Sequence, residues 1–138
     1  MYNKKIKNAI KTTYKDMCFD SKLEYKTYVE FEKNNLILLR EPTAYTLSKG
    51  FKPTKRCYIN SKLTMSKLKD MTYTPDFEIT INNKKYIIEC KGYSNDVYPY
   101  KRKLFRKVLE NFNDDITFFE IKNNKDIMFA INTIKNEI

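Results

Sequence analysis

The sequence predicts an α/β fold in which a mixed central β-sheet is flanked by helices. Apolar residues recur at helical spacing in some segments and at extended spacing in others, in the order αβββαβα. No internal repeat or linker interrupts this order. The 138 residues are enough for one hydrophobic core but too few for a second, so we expect a single domain over residues 1–138.

The first part of the chain is basic and then helical. We interpret residues 1–15 as a basic N-terminal arm or a short helix. A firmer helix starts at Ser21, because the Ser-x-x-Glu sequence that ends at Glu24 is typical of a capping box, and it runs to about Lys33. Its inward stripe consists of Leu23, Thr27, Tyr28 and Phe31.

A strand and a central hairpin follow this helix. The strand lies either at residues 36–39 or at residues 45–47, and residues 48–72 read as a polar, basic connection. Asn82 and Asn83 then form a two-residue turn, since asparagine tolerates positive φ. This turn predicts a hairpin whose strands are residues 73–81 and 85–90.

The last third of the chain predicts a helix, a strand and a helix. Residues 99–111 form the first helix, whose apolar side chains are Leu104, Phe105, Val108, Leu109 and Phe112. Residues 116–121 form the strand. The closing amphipathic helix is marked by Ile127, Ala130, Ile131 and Ile134.

The predicted hairpin brings charged residues together. If Ile81 pairs with Lys84, the ladder places Asp76 directly opposite Glu89, and Lys91 points to the same face. Two adjacent carboxylates repel each other unless a cation neutralises them, and oxygen ligands suit Mg²⁺ or Mn²⁺. The alternative is a surface hairpin with solvated charges. The apolar residues that precede Glu89 favour the metal site, because they predict a buried strand.

The residue types that are rare or missing limit the chemistry. The chain has no histidine, which excludes Ser-His-Asp and Cys-His catalysis and histidine-ligated metal sites. Cys18, Cys57 and Cys90 are odd in number and far apart, which argues against a disulfide framework and favours a reducing cytoplasm. No apolar run reaches the roughly 18 residues of a membrane span, so we expect no membrane partner and a cytoplasmic location.

The charge balance predicts a polyanionic partner. Twenty-seven Lys and Arg against seventeen Asp and Glu give a formal net charge of +10. An AT-rich genome would also enrich lysine, but residues 49–69 contain seven basic side chains and no acid, and this clustering favours binding. We therefore expect nucleic-acid contacts from Lys49, Lys52, Lys55, Arg56 and Lys62.

The residues of the hairpin also form a known pair of motifs. Pro75-Asp76 and Glu89-Cys90-Lys91, with an apolar strand before the second motif, resemble the two half-motifs of the PD-(D/E)XK nuclease superfamily. Flanking matches lie at residues 19–24, 91–92 and 100–105, so the resemblance covers roughly residues 15–122. It points to a small phage-type, Holliday-junction-resolvase-like endonuclease branch. It implies an αβββαβ restriction-endonuclease-like core.

The resemblance implies roles for site residues. Asp76, Glu89 and the backbone carbonyl oxygen of Cys90 would hold Mg²⁺ or Mn²⁺. Lys91 would orient the attacking water or stabilise the charge of the transition state. Glu24 would complete the acidic cluster through water; its alternative role is the capping box.

A second basic group follows the hairpin. Tyr100 and Lys101 match positions where the superfamily often has a side chain that contacts phosphate or water, and Lys103 lies on the same helix. The alternative is a solvated first helical turn. We assign all three side chains to the predicted nucleic-acid contacts.

The activity that the resemblance implies is Mg²⁺-dependent hydrolysis of DNA. We expect an endonuclease that prefers branched DNA, acts in DNA recombination and forms a homodimer. Exposed Tyr93, Tyr98 and Tyr100 would form the dimer surface or stack on unpaired bases. The alternatives are an exonuclease, a nickase, a restriction-type nuclease and a non-catalytic nucleic-acid-binding protein. The intact acidic pair argues against the last of these.

Overall fold

The computed structural model describes residues 11–93 and 95–138, which form a mixed α/β structure. The helices are α1 (Lys22–Lys33), α2 (Tyr98–Leu109) and α3 (Asn124–Glu137). The strands are β1 (Thr12–Tyr14), β2 (Met17–Phe19), β3 (Leu39–Arg40), β4 (Tyr45–Ser48), β5 (Tyr58–Ile59), β6 (Lys62–Leu63), β7 (Met71–Tyr73), β8 (Phe77–Ile81), β9 (Lys84–Cys90) and β10 (Asp115–Ile121). The coarse fold class that the sequence predicts is therefore correct.

The central sheet has four strands in the order β10-β9-β8-β3. Strand β10 runs parallel to β9, whereas β8 is antiparallel to both of its neighbours, so the sheet is mixed as predicted. Asn82 and Asn83 both have positive φ, at 51° and 65°, which is the turn that matches the twist of a two-residue hairpin. This turn pairs Ile81 with Lys84, and the predicted register is confirmed.

Both faces of this sheet are covered. Helices α1 and α3 pack on one face, where the larger core includes Phe31, Phe77, Tyr86, Ile88, Ile121 and Ile131. Helix α2 lies on the other face, where Phe105 packs with Tyr73 and Ile87. Because β9 is enclosed on both sides, every residue from Tyr86 to Cys90 is buried. Glu89 is thereby withdrawn from water, with 5% of its surface exposed.

The three helices follow their sequence signals closely. The Ser21 hydroxyl caps α1 by accepting the Glu24 N–H at 3.1 Å. Thr27, Tyr28 and Phe31 are buried as expected, and Leu23 packs at the edge of the core. Helix α2 is shorter at its end than predicted, and of its expected stripe only Phe105 is fully buried. Helix α3 buries all four of its predicted apolar residues.

Three segment predictions need correction. Residues 12–14 form strand β1, paired with β2, so a helix there is wrong; residues 1–10 lie outside the described part of the chain. Of the two candidate strands after α1, residues 45–47 lie in β4, whereas only Leu39 of residues 36–39 lies in a strand, β3. The expected strand over residues 73–81 is broken before Phe77, because Pro75 has no N–H to donate to a ladder.

Residues 48–72, which the sequence predicts as a polar, basic connection, fold back on themselves through short paired strands. Together with their flanks they form one long hairpin over residues 45–73, which we call the β-arm. Its two sides pair from Tyr45↔Tyr73 through Phe51↔Leu68 to Tyr58↔Leu63, and Asn60 and Ser61 close the tip with positive φ.

A single glycine allows the two sides of the β-arm to approach. A Cβ at Gly50 would lie 2.3 Å from the Leu68 carbonyl oxygen, so only glycine fits there. The Gly50 N–H donates to the Asp70 carboxylate at 2.6 Å.

Within the described residues, no helix combines the length and apolarity needed to cross a membrane.

Candidate functional site

Two carboxylates meet where β8 begins and β9 ends. The Asp76 N–H donates to Glu89 Oε2 at 3.2 Å. The Cys90 N–H donates to Asp76 Oδ2 at 2.8 Å. Each carboxylate is thus held by the backbone of the opposite strand. The structure brings Asp76 and Glu89 together as their register predicts.

Lys91 lies beside this pair on the side that faces α2. Its ammonium is 3.8 Å from Glu89 Oε1 and 4.6 Å from the centre of the Tyr98 ring. Only 19% of the Lys91 side chain is exposed. A cation between a carboxylate and an aromatic face is attracted by both, which fixes the ammonium at the site.

The acidic pair is electrostatically strained. Burial raises the pKa of Glu89, and the nearby charge of Asp76 raises it further. Burial also raises the pKa of Asp76, although the Cys90 N–H and the Lys91 ammonium oppose this change. A single ammonium therefore does not compensate the burial of both carboxylates. An additional cation would stabilise their ionised forms.

Glu24 adds a third carboxyl to this surrounding. Burial, and then the charges of Asp76 and Asp20, raise the pKa of Glu24 to about 7. Of the two hydrogen bonds of a capping box, the described structure has the one that the Glu24 N–H donates to the Ser21 hydroxyl. The Glu24 carboxyl lines a pocket of about 160 Å³ together with Asp20, Arg40 and Asp76. Its environment therefore matches the acidic cluster as well as the helix cap.

The residues around the pair fit a hard cation in their chemistry but do not form a complete ligand cage. Within the described residues, no three His, Cys, Asp or Glu side chains are grouped so that they could hold a metal ion. Asp76 and Glu89 offer oxygen ligands of the type that Mg²⁺ and Mn²⁺ accept. Tyr73 has a buried hydroxyl beside Glu89 that has no hydrogen-bond partner of regular geometry in the described structure. Burial, and then the Glu89 carboxyl, raise the pKa of this hydroxyl, so Tyr73 belongs to the same buried polar cluster.

Cys90 contributes through its backbone and not its thiol. The thiol is buried and contacts the Thr27 hydroxyl at 3.3 Å, on the α1 side of the sheet. Burial raises the pKa of this thiol well above its ordinary value, so it is a poor nucleophile. Cys90 is therefore a small residue of the hydrophobic core.

The sequence did not reveal a second polar network next to Lys91. Glu120 accepts hydrogen bonds from the Tyr98 hydroxyl at 3.0 Å and from Arg102 at 2.7 Å. It lies in β10 directly beside Glu89 in the parallel register. Tyr98 is therefore fixed at both ends, by its hydroxyl and by the cation on its ring. The sequence signal for this network is the alternation of polar and apolar residues in β10. That signal identifies the position of Glu120 only once β9 is known to be the neighbouring strand.

The predicted nucleic-acid contacts lie in two places. Lys49, Lys52, Lys55, Arg56 and Lys62 are all exposed on the β-arm. Tyr100 is 71% exposed near the start of α2, where Lys103 is exposed and Lys101 is half-buried. One part of the aromatic prediction is wrong. Tyr98 is only 4% exposed and belongs to the network around Lys91, whereas Tyr93 and Tyr100 are exposed as expected.

Comparison with known proteins places the chain in one family. No curated protein and no solved structure gives a significant match. A family match covers residues 4–125, and this range includes every residue of the candidate site. The chain therefore belongs to the family described as "Protein of unknown function (DUF1064)".

Proposed function

We propose that this chain is a metal-dependent nuclease of the PD-(D/E)XK type that hydrolyses phosphodiester bonds in DNA. The observation that carries the proposal is the set formed by Asp76, Glu89 and Lys91 at the junction of β8 and β9. Glu24 adds a third carboxyl, whose pKa is raised by burial and then by the charge of Asp76. Titratable groups perturbed together in a partly enclosed site are typical of catalysis or metal binding.

A purely structural role explains this cluster poorly. Structural ion pairs balance their charges, whereas Asp76 and Glu89 share the single ammonium of Lys91, and the pKa of Glu24 is raised although Arg40 opposes this change. If the role of these residues were only structural, apolar side chains in the same positions would avoid the cost of burying the charges. A site that binds a divalent cation and a phosphate accounts for the excess of carboxyls, because the cation neutralises them.

The proposed fold assignment rests on the order of elements. Along the chain, the elements of the central sheet and its helices follow the order α1, β3, β8, β9, α2, β10, α3. This order agrees with an αβββαβ restriction-endonuclease-like core followed by one more helix. Asp76 directly precedes β8, and Glu89 lies at the end of β9, so the two half-motifs lie at the same end of the two central strands.

In the proposed reaction, Asp76, Glu89 and the Cys90 carbonyl oxygen would hold Mg²⁺ or Mn²⁺. The bound ion would supply polarisation of the phosphoryl group and lower the pKa of a water molecule. Lys91 places its ammonium where negative charge grows on the scissile phosphate, and Tyr98 limits the motion of that ammonium. Glu24 would complete the acidic cluster and contact the metal through water, since its carboxyl lines the same pocket as Asp76.

The finer parts of the proposal concern substrate, assembly and location. We propose an endonuclease that prefers branched DNA, acts in recombination as a homodimer and is located in the cytoplasm. Two copies related by a twofold axis would allow symmetric cleavage of two strands. An exonuclease, a nickase and a restriction-type nuclease share the same catalytic chemistry and differ in substrate. They are distinguished by cleavage of matched linear, circular and four-way-junction DNA.

The test of the catalytic proposal is metal-dependent cleavage that needs both carboxylates. Purified protein is incubated with these DNA substrates in Mg²⁺, in Mn²⁺ or in EDTA. We expect cleavage only with metal, and at least about a hundredfold loss in Asp76→Asn and in Glu89→Gln. Glu110→Gln is the matched control, because this glutamate is exposed at the end of α2. Cleavage in EDTA, or full activity in both site variants, would refute the assignment.

A further inference from the structure

The β-arm carries much of the chain's positive charge. Seven Lys and Arg against the single carboxylate of Asp70 give the arm +6, and the rest of the chain contributes +4 of the total +10. Asp70 is also engaged with the Gly50 N–H. A second copy of this chain is also basic overall, so its net charge opposes docking on the arm. The charge of the arm therefore favours a polyanion as its partner.

The β-arm also exposes large apolar side chains to water. They are Phe51, Tyr58, Ile59, Leu63, Leu68 and Met71. At the tip, Tyr58 pairs with Leu63 on one face of the ribbon, and Ile59 pairs with Lys62 on the other. Apolar residues thus lie on both faces. A protein partner that covered one face of the ribbon would leave apolar side chains on the other face in water.

The dimensions of a two-stranded ribbon match a groove of DNA. The major groove of B-form DNA is about 12 Å wide and admits such a ribbon. Cations at the edges of the ribbon reach the phosphates on either side. Apolar side chains at the tip can contact base edges, including the thymine methyl group.

We propose that the β-arm inserts into the major groove of duplex DNA, with its basic residues on the phosphates and Tyr58, Ile59 and Leu63 against the bases. This inference rests on the proposed nuclease function and assigns duplex DNA as the substrate class of the same site. The arm ends at Tyr73, whose hydroxyl is buried beside Glu89, and only three residues separate it from β8. The base of the arm therefore lies beside the carboxylates, so DNA that runs along the arm toward its base approaches them.

The test measures binding without cleavage. Fluorescence anisotropy in EDTA compares a labelled 24-base-pair duplex with each of its single strands. We expect the full-length protein to bind the duplex at least about tenfold more tightly than the strands. Lys55→Glu with Lys62→Glu should weaken duplex binding at least about tenfold and reduce the salt slope by about two units of log K per log salt. Lys26→Glu with Lys125→Glu makes the same charge change on exposed helix surfaces and should weaken it less than about threefold.

The tip is tested separately from the charge. The triple variant Tyr58→Ser, Ile59→Ser, Leu63→Ser should lose about tenfold in duplex affinity while its salt slope stays unchanged, because no cation is removed. Wild-type Cys57, which is exposed beside these residues, gives a readout that needs no substitution. Its alkylation rate should fall at least about fivefold when duplex DNA saturates the protein.

Several results would overturn the inference. They are equal affinity for duplex and single strands, unchanged duplex binding by the arm variants, and unchanged Cys57 alkylation. If the tip variant converted a dimer to a monomer without loss of DNA affinity, the arm would be assigned to self-association instead.

The nuclease proposal and the arm proposal can fail separately. Arm-dependent duplex binding without metal-dependent cleavage refutes the nuclease alone, and cleavage with arm-independent binding refutes the arm alone.

Discussion

The carboxyl of Glu24 predicts a measurable dependence of stability on pH. In the folded protein its pKa is raised from 4.5 to about 7. A group with a raised pKa stabilises the fold while it is protonated, so this contribution is complete below about pH 4.5 and is lost as the pH rises through 7. Burial also raises the pKa values of Asp76 and Glu89. The metal-free protein should therefore lose stability between pH 5 and pH 8.

The size of the Glu24 effect follows from this pKa. A tenfold change in an equilibrium constant is about 1.4 kcal/mol, so the difference between 4.5 and 7 corresponds to about 3.4 kcal/mol. The carboxyl is only partly buried, and solvent screening reduces the value to about 2 kcal/mol. For a chain of 138 residues, that free energy corresponds to about 7 °C in Tm.

Thermal melting in EDTA, monitored by circular dichroism from pH 5 to pH 8, measures the effect. Glu24→Gln should melt about 7 °C higher than wild type at pH 8 and at nearly the same temperature at pH 5. Glu110→Gln should follow wild type throughout. Mn²⁺ should raise the Tm of the wild type more at pH 8 than at pH 5, because a cation binds ionised carboxylates. A Glu24→Gln curve parallel to that of wild type would refute this account of the cluster.

Three further substitutions test other parts of the structure. Lys91→Ala should bind DNA in EDTA within about threefold of wild type, yet cleave it at least about a hundredfold more slowly, since its charge acts mainly in the transition state. Phe105→Ala removes a fully buried ring from the α2 side of the sheet and should cost about 3 to 5 kcal/mol in urea denaturation. Gly50→Ala forces the two sides of the β-arm apart and should increase proteolysis within the arm, while the melting of the rest of the chain changes little.

The central hairpin was predictable because its signals are local. The Asn82-Asn83 turn accepts positive φ, and its length sets the register of every pair that follows. Once this register is known, the proximity of Asp76 and Glu89 follows without any tertiary information. Ser21 likewise determines the start of α1 through a bond to a residue only three positions away.

The β-arm was not predictable for a related reason. Its pairing shifts between Thr46 and Ser48, and again between the Phe51↔Leu68 bridge and the Tyr58↔Leu63 pair. Each shift interrupts the alternation by which a strand is recognised. Beyond its base, large apolar residues of the arm such as Phe51, Tyr58 and Leu63 are exposed, so they show no periodic burial. The segment therefore resembles a polar loop in sequence although it forms a ribbon in space.

The network around Lys91 depends on contacts between elements that are distant in sequence. Glu120 reaches the site because β10 pairs in parallel with β9, and Tyr98 reaches it because α2 crosses the same face of the sheet. The alternation in β10 assigns Glu120 to a face but does not identify the neighbouring strand. The acidic pair was therefore available from local geometry, whereas the residues that position Lys91 required the tertiary fold. We therefore expect Tyr98→Phe to leave the β8–β9 hairpin intact and to remove one of the two contacts that hold the ring beside Lys91. It removes the bond to Glu120 but keeps the ring under the ammonium.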